Sequence, residues 1–483
     1  MKVLSVASEF YPLVKTGGLA DVVGALPGAL KGQDIEMRPF LPGYRAVMAA
    51  AEGGPALLKL ADLFGGPAWI RSGKSGEISL LILDAPHLYD RPGNPYLGPD
   101  GLDWPDNAQR FAALAAAAAM VARGAVAGLR PDIIHAHDWQ AGLVAAYLHY
   151  QDGARPGVVM TVHNIAYQGQ FSAELLAMLG LPPESLSIDG IAHHGQIGYL
   201  KAGLQLADRV TTVSPGYAAE LLSAEFGMGF EGLFRARAGI MSGILNGIDE
   251  EIWNPATDPQ LAASFDAKHL RGRARNKAAV QERMGLKQDQ SALLFGIVSR
   301  LVWQKGIDLM LASVPSLLAC GAQLAVLGTG EPAIEAALRD AAARHSGRIG
   351  CVIGFDEGLS HLMQAGVDAL LVPSRFEPCG LTQLYALRYG AIPVVARVGG
   401  LADTVIDANP MALAAGVATG VQFSNPDEAM LQAAIRRTAG LWQHKPAWRQ
   451  MQRNAMASDV SWHEPARQYA ALYRSLQLAR ALI

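Results

Sequence analysis

The sequence predicts an α/β protein made of two doubly wound domains, each a parallel sheet with helices on both faces. Three observations carry this. Short apolar runs alternate with helical segments through both halves of the chain, the pattern of parallel strands joined by helical crossovers. At 483 residues the chain exceeds what a single hydrophobic core organises. Hydrophobic residues make up 51% and charged residues only 17%, which suits sheets buried on both faces.

In the first half, strands are expected at Val3–Ala7, Leu80–Leu83, Ile133–Ala136, Val158–Val162 and Val210–Val213, with a helix at Leu19–Leu30. The Ala-rich run 111–127 follows Asp106 and contains Arg123, so it reads as a packed helix and not as a membrane span. The second half repeats the plan, with strands at Leu293–Val298, Leu324–Leu327, Cys351–Ile353, Ala369–Val372 and Ile392–Val395. Helices are expected there at Ile307–Ala319, Ala333–Arg344 and Leu381–Tyr389. The join falls between Asn246 and Gln290, a polar, charge-rich stretch with Asn-Pro and Asp-Pro pairs and no strand signal. The expected domains are 1–245 and 246–459, with a last helix, Trp462 to Leu482 within 460–483, returning to brace the first.

Forty Lys and Arg against 43 Asp and Glu leave a formal charge of −3, so no basic footprint for nucleic acid or for an anionic membrane is present. Cys320, Cys351 and Cys379 show neither CxxC nor metal-ligand spacing and read as reduced thiols of a cytoplasmic protein. The apolar start ends at Glu9, too short for a signal-peptide core. No metal site and no cofactor are expected.

Chemistry concentrates in loops that follow strands. Lys15-Thr-Gly-Gly-Leu-Ala-Asp21 lies between the first strand and a helix. Adjacent glycines allow close backbone approach, a helix N-terminus favours an anion, and Lys15 adds charge; together they read as a phosphate cradle, or alone as a tight connection. It is neither a Walker A loop nor a Gly-x-Gly-x-x-Gly fingerprint. Ser299–Gly306 repeats the device, with Arg300 as a planar fork and Lys305 as a point charge for phosphate oxygens. The bland alternative is a pair of solvated loop cations. Pro373-Ser-Arg-Phe-Glu-Pro-Cys-Gly-Leu-Thr382 opens a helix whose Gly380, Leu381 and Thr382 N–H groups can meet an anion. Glu377 beside that anion either holds sugar hydroxyls and faces developing positive charge, or caps the helix. His137 and His163 lack metal-ligand spacing. His163 with Asn164 can hydrogen-bond hydroxyls, and Asp138 with Trp139 offers an acid and a ring face for a pyranose. His135 reads as a satisfied core imidazole, and Asn246–Asp249 taken alone as a turn.

Together these segments resemble the bacterial glycogen synthases, relatives of plant starch synthases. The matching residues are Lys15–Leu19, His137–Gln140, His163–Ala166, Asn246–Asp249, Ser299–Gly306 and Pro373–Thr382, in order over essentially the whole chain. The resemblance implies a GT-B glycosyltransferase: two Rossmann-like domains facing a central cleft, and transfer of glucose from ADP-glucose to the 4-hydroxyl end of an α-1,4-glucan, with retention and without a metal. It further implies a donor-binding second domain and an acceptor-side first domain. Lys15, Gly18 and Asp21 become donor contacts. Arg300 and Lys305 neutralise the departing diphosphate with backbone at Leu381 and Thr382. Glu377 orients the glucose, with Cys379 and Gly380 beside it. His163 and Asn246 meet its 6-hydroxyl, Phe355 lies near the adenine, and Tyr96, Asp138 and Trp139 serve the acceptor. Tyr385 stands where many retaining GT-B enzymes carry a second acid, so the ribose contact of that wider group does not transfer. The same fold hosts UDP-glucose-dependent synthases; the Lys15–Leu19 motif favours ADP-glucose, whereas the base choice does not follow from the physics of these residues.

Overall fold

The computed structural model describes residues 1–52 and 54–481. The chain divides into two compact units: unit 1 comprises 1–246 with 462–483, and unit 2 comprises 247–461.

Unit 1 is built on nine strands: β1 (Lys2–Val6), β2 (Glu36–Pro42), β3 (Ala56–Leu60), β4 (Ala68–Ser75), β5 (Ile78–Asp84), β6 (Ile133–His137), β7 (Gly157–Val162), β11 (Arg209–Thr212) and β12 (Met241–Gly243). Three short strands, β8 (Gln170–Phe171), β9 (Ala192–His193) and β10 (Gln196–Gly198), form a separate small sheet. The large sheet runs β12-β11-β7-β6-β1-β2-β5-β4-β3. All its pairings are parallel except β3–β4 and β4–β5. Strands β2, β3 and β4 have no counterpart in the sequence expectation. Arg38 and Pro39 interrupt the apolar run of β2, and β3 and β4 form a partly solvated edge whose side chains do not all face the core.

Order along the sheet reverses at β1: the next strands in sequence go to one side and β6 to the other. That is a topological switch point, where loops leaving the strand C-termini part and leave room for a ligand. The loop after β1 carries Lys15–Leu19, and β6 ends at His137, directly before Asp138. The helix Asn107–Ala122 packs so closely that thirteen of its sixteen residues are buried, which alanine permits by leaving little side chain to accommodate. The last helix, His463–Ala481, belongs to unit 1, where Tyr469, Tyr473 and Leu476 pack with Val3, Leu26, Ile133 and Val159. Leu482 and Ile483, within the expected reach of this helix, lie outside the described residues.

Unit 2 carries a six-stranded all-parallel sheet, ordered β15-β14-β13-β16-β17-β18. Its strands are β13 (Leu294–Val298), β14 (Gln323–Gly328), β15 (Ile349–Ile353), β16 (Ala369–Val372), β17 (Ile392–Ala396) and β18 (Val421–Phe423). Here the switch point lies between β13 and β16, and the loops that follow these two strands are Ser299–Gly306 and Pro373–Thr382. The polar stretch after Asn246 forms irregular chain and then the helix Gly272–Arg283. That helix buries Arg273, whose guanidinium donates to the carbonyls of Tyr389 and Val367, and Lys277, which pairs with Asp368 at 2.7 Å. The sequence shows no apolar stripe there because these buried positions hold cations satisfied by backbone carbonyls and by Asp368. Among the described residues no helix is long and apolar enough to cross a membrane.

Candidate active site

In unit 2 the two strand-end loops are locked together before any ligand arrives. Gly306 adopts φ +66°, and a Cβ there would fall 2.0 Å from the Pro373 carbonyl oxygen, so only glycine lets the loops touch. Arg375 donates to both carboxylate oxygens of Asp308 at 2.7 Å and to the Trp303 carbonyl at 2.6 Å. Its guanidinium also lies 4.3 Å over the Trp303 ring. Gln304 Nε2 donates to the Phe376 carbonyl at 3.2 Å. This clamp brings Lys305 Nζ within 2.6 Å of Glu377 Oε2, an oxygen that also accepts from the Ser374 hydroxyl at 2.8 Å. Glu377 is 7% exposed. It does not cap the helix it precedes: the residue before that helix, Leu381, has no side-chain cap bond.

Cys379 is buried and Gly380 is left-handed at φ +72°. Gln383 Nε2 donates to the carbonyls of both at 2.9 Å, which fixes the turn into the helix Thr382–Tyr389. The first N–H groups of that helix have no intrahelical acceptor, so Leu381 and Thr382 stand where an anion is favoured. Arg300 is exposed, two residues after the end of β13. Phe355 follows β15 and is 77% exposed, an aromatic face presented to solvent at a strand end. Tyr385, at the position of the missing second acid, stacks 3.7 Å from Trp253, which stacks in turn on His361 at 3.7 Å.

In unit 1 the Gly-Gly turn already holds an anion, and it is the protein's own. Glu9, 3% exposed, accepts from the Thr16 N–H and hydroxyl at 2.5 Å each and from the Gly17 N–H at 3.1 Å. It also accepts from Tyr96 Oη at 2.5 Å. Glu9 thus occupies the N–H groups of Thr16 and Gly17, ahead of the helix, and leaves the N–H groups of the helix from Gly18 onward as the part of the expected phosphate cradle that it does not fill. Gly17 has φ −156°, extended backbone open to any residue, so no sharp turn requires it. Lys15 and Asp21, expected as separate ligand contacts, pair with each other at 2.8 Å. Tyr96, expected on the acceptor side, bonds Glu9 and meets Ser8 Oγ at 2.8 Å, so it braces the turn.

Asp138 opens the helix Asp138–His149 at φ +54°, and its Oδ1 accepts from the backbone N–H of His163 at 2.7 Å and of Asn164 at 3.4 Å. Burial pushes its carboxyl up to about 7 against the pull of those donors. Trp139 does not offer a ring face to a sugar. Its indole packs against Phe111 at 4.9 Å, Phe171 at 5.8 Å and Tyr199 at 6.3 Å, leaving the residue 9% exposed, so the pyranose-stacking expectation is withdrawn.

His163 is 9% exposed and its Nε2 lies 3.0 Å from His137 Nδ1. Burial pulls His163 down to about 3, so its ring is neutral near pH 7. Asn246 is 8% exposed, and its Oδ1 is a buried acceptor without a partner among the described residues, a group left for a ligand to satisfy. His135 is a fully buried, satisfied imidazole, meeting Thr161 Oγ1 at 2.6 Å and Tyr473 Oη at 2.7 Å. Among the described residues no three His, Cys, Asp or Glu side chains are grouped to hold a metal ion.

Two family models cover most of the chain: the starch synthase catalytic domain matches residues 2–236, and the group 1 glycosyl transferases match residues 281–454. A glycogen synthase of Rhodopseudomonas palustris strain BisA53 is 60% identical over 481 residues, covering 100% of this chain and 98% of that protein. One from Acidiphilium cryptum strain JF-5 is 62% identical over 476 residues, covering 99% of each. The chain belongs to the glycogen synthase family. The catalytic domain of starch synthase IV from Arabidopsis thaliana, solved with ADP and acarbose, superposes with TM-score 0.87 at 32% identity over 99% of both chains. Sucrose-phosphate synthase from Thermosynechococcus elongatus shares the fold, with TM-score 0.62 at 19% identity over 99% of each chain. The glycogen synthase fold is thus GT-B, with two Rossmann-like domains, and the chain is a glycosyltransferase.

Sequence reasoning missed Glu9, Ser374 and the clamp of Arg375 on Asp308. Ser8-Glu9 stands directly after the first apolar run, as Ser299-Arg300 does after β13. A polar pair closing a buried strand is the signal that could have found Glu9.

Proposed function

We propose that the chain transfers glucose from ADP-glucose to the non-reducing 4-hydroxyl of an α-1,4-glucan, with retention at the anomeric carbon. The observation that carries the reading is the Lys305–Glu377–Ser374 cluster, held at the switch point of unit 2 beside a helix N-terminus. Lys305, Arg300 and the N–H groups of Leu381 and Thr382 receive the diphosphate, and Phe355 lies against the adenine. Glu377, Cys379 and Gly380 bind the glucose, with His163 and Asn246 on its 6-hydroxyl. Lys15, Gly18 and Asp21 remain donor-side, with Gly18 the part of the turn that Glu9 leaves open. Asp138 and Tyr96 shape the acceptor side.

As the bond from the anomeric carbon to the phosphate oxygen breaks, its electron pair goes to ADP, and Lys305 and the helix N–H groups stabilise the growing negative charge. Positive charge develops on the sugar beside the Glu377 carboxylate. The acceptor 4-hydroxyl forms the new bond from the face the diphosphate leaves, and its proton passes to a phosphate oxygen. Products are ADP and a glucan one residue longer. This front-face course is preferred to double displacement because Glu377 is bonded to the phosphate cation Lys305 at 2.6 Å. A nucleophile for double displacement would stand on the opposite face of the sugar.

The test offers maltoheptaose with ADP-glucose or UDP-glucose. Chains longer by α-1,4-linked units and a faster rate with ADP-glucose are expected. Preference for UDP-glucose overturns the donor assignment, and a trapped glucosyl–Glu377 adduct overturns the front-face course.

A further inference from the structure

A buried chain of hydrogen bonds reaches His163 from the opposite side to solvent. Ser5 Oγ, on β1, lies 3.1 Å from His137 Nε2, and His137 Nδ1 lies 3.0 Å from His163 Nε2. Ser5 and His137 are both 0% exposed, whereas His163 keeps 9%. Its Nδ1 has no partner among the described residues and is not a buried orphan atom, so it is the end of the chain open to a ligand.

The hydrogens can be counted. One hydroxyl and two neutral imidazoles bring three hydrogens, and the two links between them use two. Each link needs one hydrogen, so the third stands at one end of the chain. At the Ser5 end it would be a fully buried hydroxyl hydrogen facing no acceptor, which a folded protein avoids. At the His163 end it is an N–H aimed at the ligand side.

We propose that Ser5 and His137 are positioning residues that set the tautomer of His163: Ser5 Oγ–H donates to His137 Nε2, His137 Nδ1–H donates to His163 Nε2, and His163 presents Nδ1–H as a donor to a substrate hydroxyl. This rests on the reading above that His163 meets the glucose 6-hydroxyl. The neutral rings that burial enforces make the arrangement possible, since a protonated His137 would donate at both nitrogens. The register supports it as well: Ser5 lies opposite His135 on the neighbouring strand, and His137 lies opposite Thr161, two residues before His163. The chain therefore runs from β1 across β6 to the residue that directly follows β7, and is fixed by the sheet.

The test reads the tautomer directly, by nitrogen-15 NMR of the full-length protein labelled at histidine, with His163→Gln used to assign the signal. The wild type is expected to show His163 protonated at Nδ1, and finding it protonated at Nε2 overturns the proposal without any variant being needed. Ser5→Ala removes the hydroxyl hydrogen, so His163 is expected to become a mixture of tautomers; an unchanged signal overturns the proposal. In the same variant kcat with ADP-glucose is expected to fall roughly 10-fold at nearly constant KM, the size of loss seen when an outer partner that orients a metal-ligating histidine is removed. Ser5→Cys, which keeps a weak donor in a similar volume, is expected to recover part of that loss. A mixed tautomer with unchanged kcat overturns the donor role of His163. Failure of the wild type to extend a glucan would instead refute the proposed reaction and leave the NMR result standing.

Discussion

In unit 1 the polar groups at the strand ends are held by carboxylates: buried Glu9 grips the Gly-Gly turn, buried Asp138 grips the backbone of His163, and the more exposed Lys15 is matched by Asp21. In unit 2 the corresponding loops are clamped from outside by Arg375 and Asp308, which leaves a cation and a carboxylate, Lys305 and Glu377, as the central pair. The two sheets share a topological plan and differ in what that plan holds. Unit 1 supplies oriented hydrogen-bonding groups of little net charge, suited to sugar hydroxyls. Unit 2 supplies paired charge, suited to a bond that breaks into ions.

The sharpest way to break this contrast is Glu377→Ala, expected to lower turnover about 1,000-fold while ADP affinity changes little, because the carboxylate is proposed to act on the sugar and not on the diphosphate. Steady-state rates and ADP titration check it; equal losses in both would make Glu377 a structural acid. Lys305→Ala is expected to cost about 2.7–4 kcal/mol of transition-state stabilisation, a fall in kcat/KM of roughly 100- to 1,000-fold. The fold is retained, since a loop side chain is shortened and no core cavity opens; unchanged turnover would remove its phosphate role. Glu9→Gln keeps the shape but weakens charge-assisted bonds to Thr16 and Gly17, and is expected to raise KM for the donor by roughly 10-fold. A lowered kcat at constant KM would place Glu9 in the chemistry instead.

The smallest expected effect is in stability. His135 and His163 are each pulled down to about 3 by burial, and His137 well below its ordinary value. Unfolded, they titrate near about 6.5. The stability of these neutral rings is present above that value and is lost as pH falls through it toward the folded values. Asp138 opposes this: raised to about 7 from 3.8, its contribution is full below the lower value and is lost as pH rises through the upper one. Three rings outweigh one carboxyl, so the urea midpoint of unit 1 is expected to rise between about pH 5 and about pH 7, and to rise further in Asp138→Asn. A flat profile would mean that the rings are hydrated in the folded state.

The sequence shows the parallel strands of unit 2 closely because a sheet buried on both faces writes itself as uninterrupted apolar runs such as Leu293–Val298 and Ala369–Val372. The edge of unit 1 was illegible for the converse reason: β3 buries none of its residues, β4 buries only Ala68 and Ile70, and the two contain Lys59, Arg71 and Lys74. The motif loops were legible because glycine, lysine and acid at strand ends have few bland explanations in combination. Their internal pairing was not. That Glu9 would turn back to fill the turn at Gly17 is a loop conformation that periodicity does not encode, and that Phe111 and Tyr199 would enclose Trp139 depends on residues distant in sequence.

The central claim is tested most directly by ADP release from ADP-glucose in the presence of glycogen, measured side by side for the wild type and Glu377→Gln. Rapid, glycogen-dependent release by the wild type, nearly abolished in a Glu377→Gln protein that still binds ADP, is the predicted result. Release that persists in the variant, or that is absent from the wild type, would contradict the account.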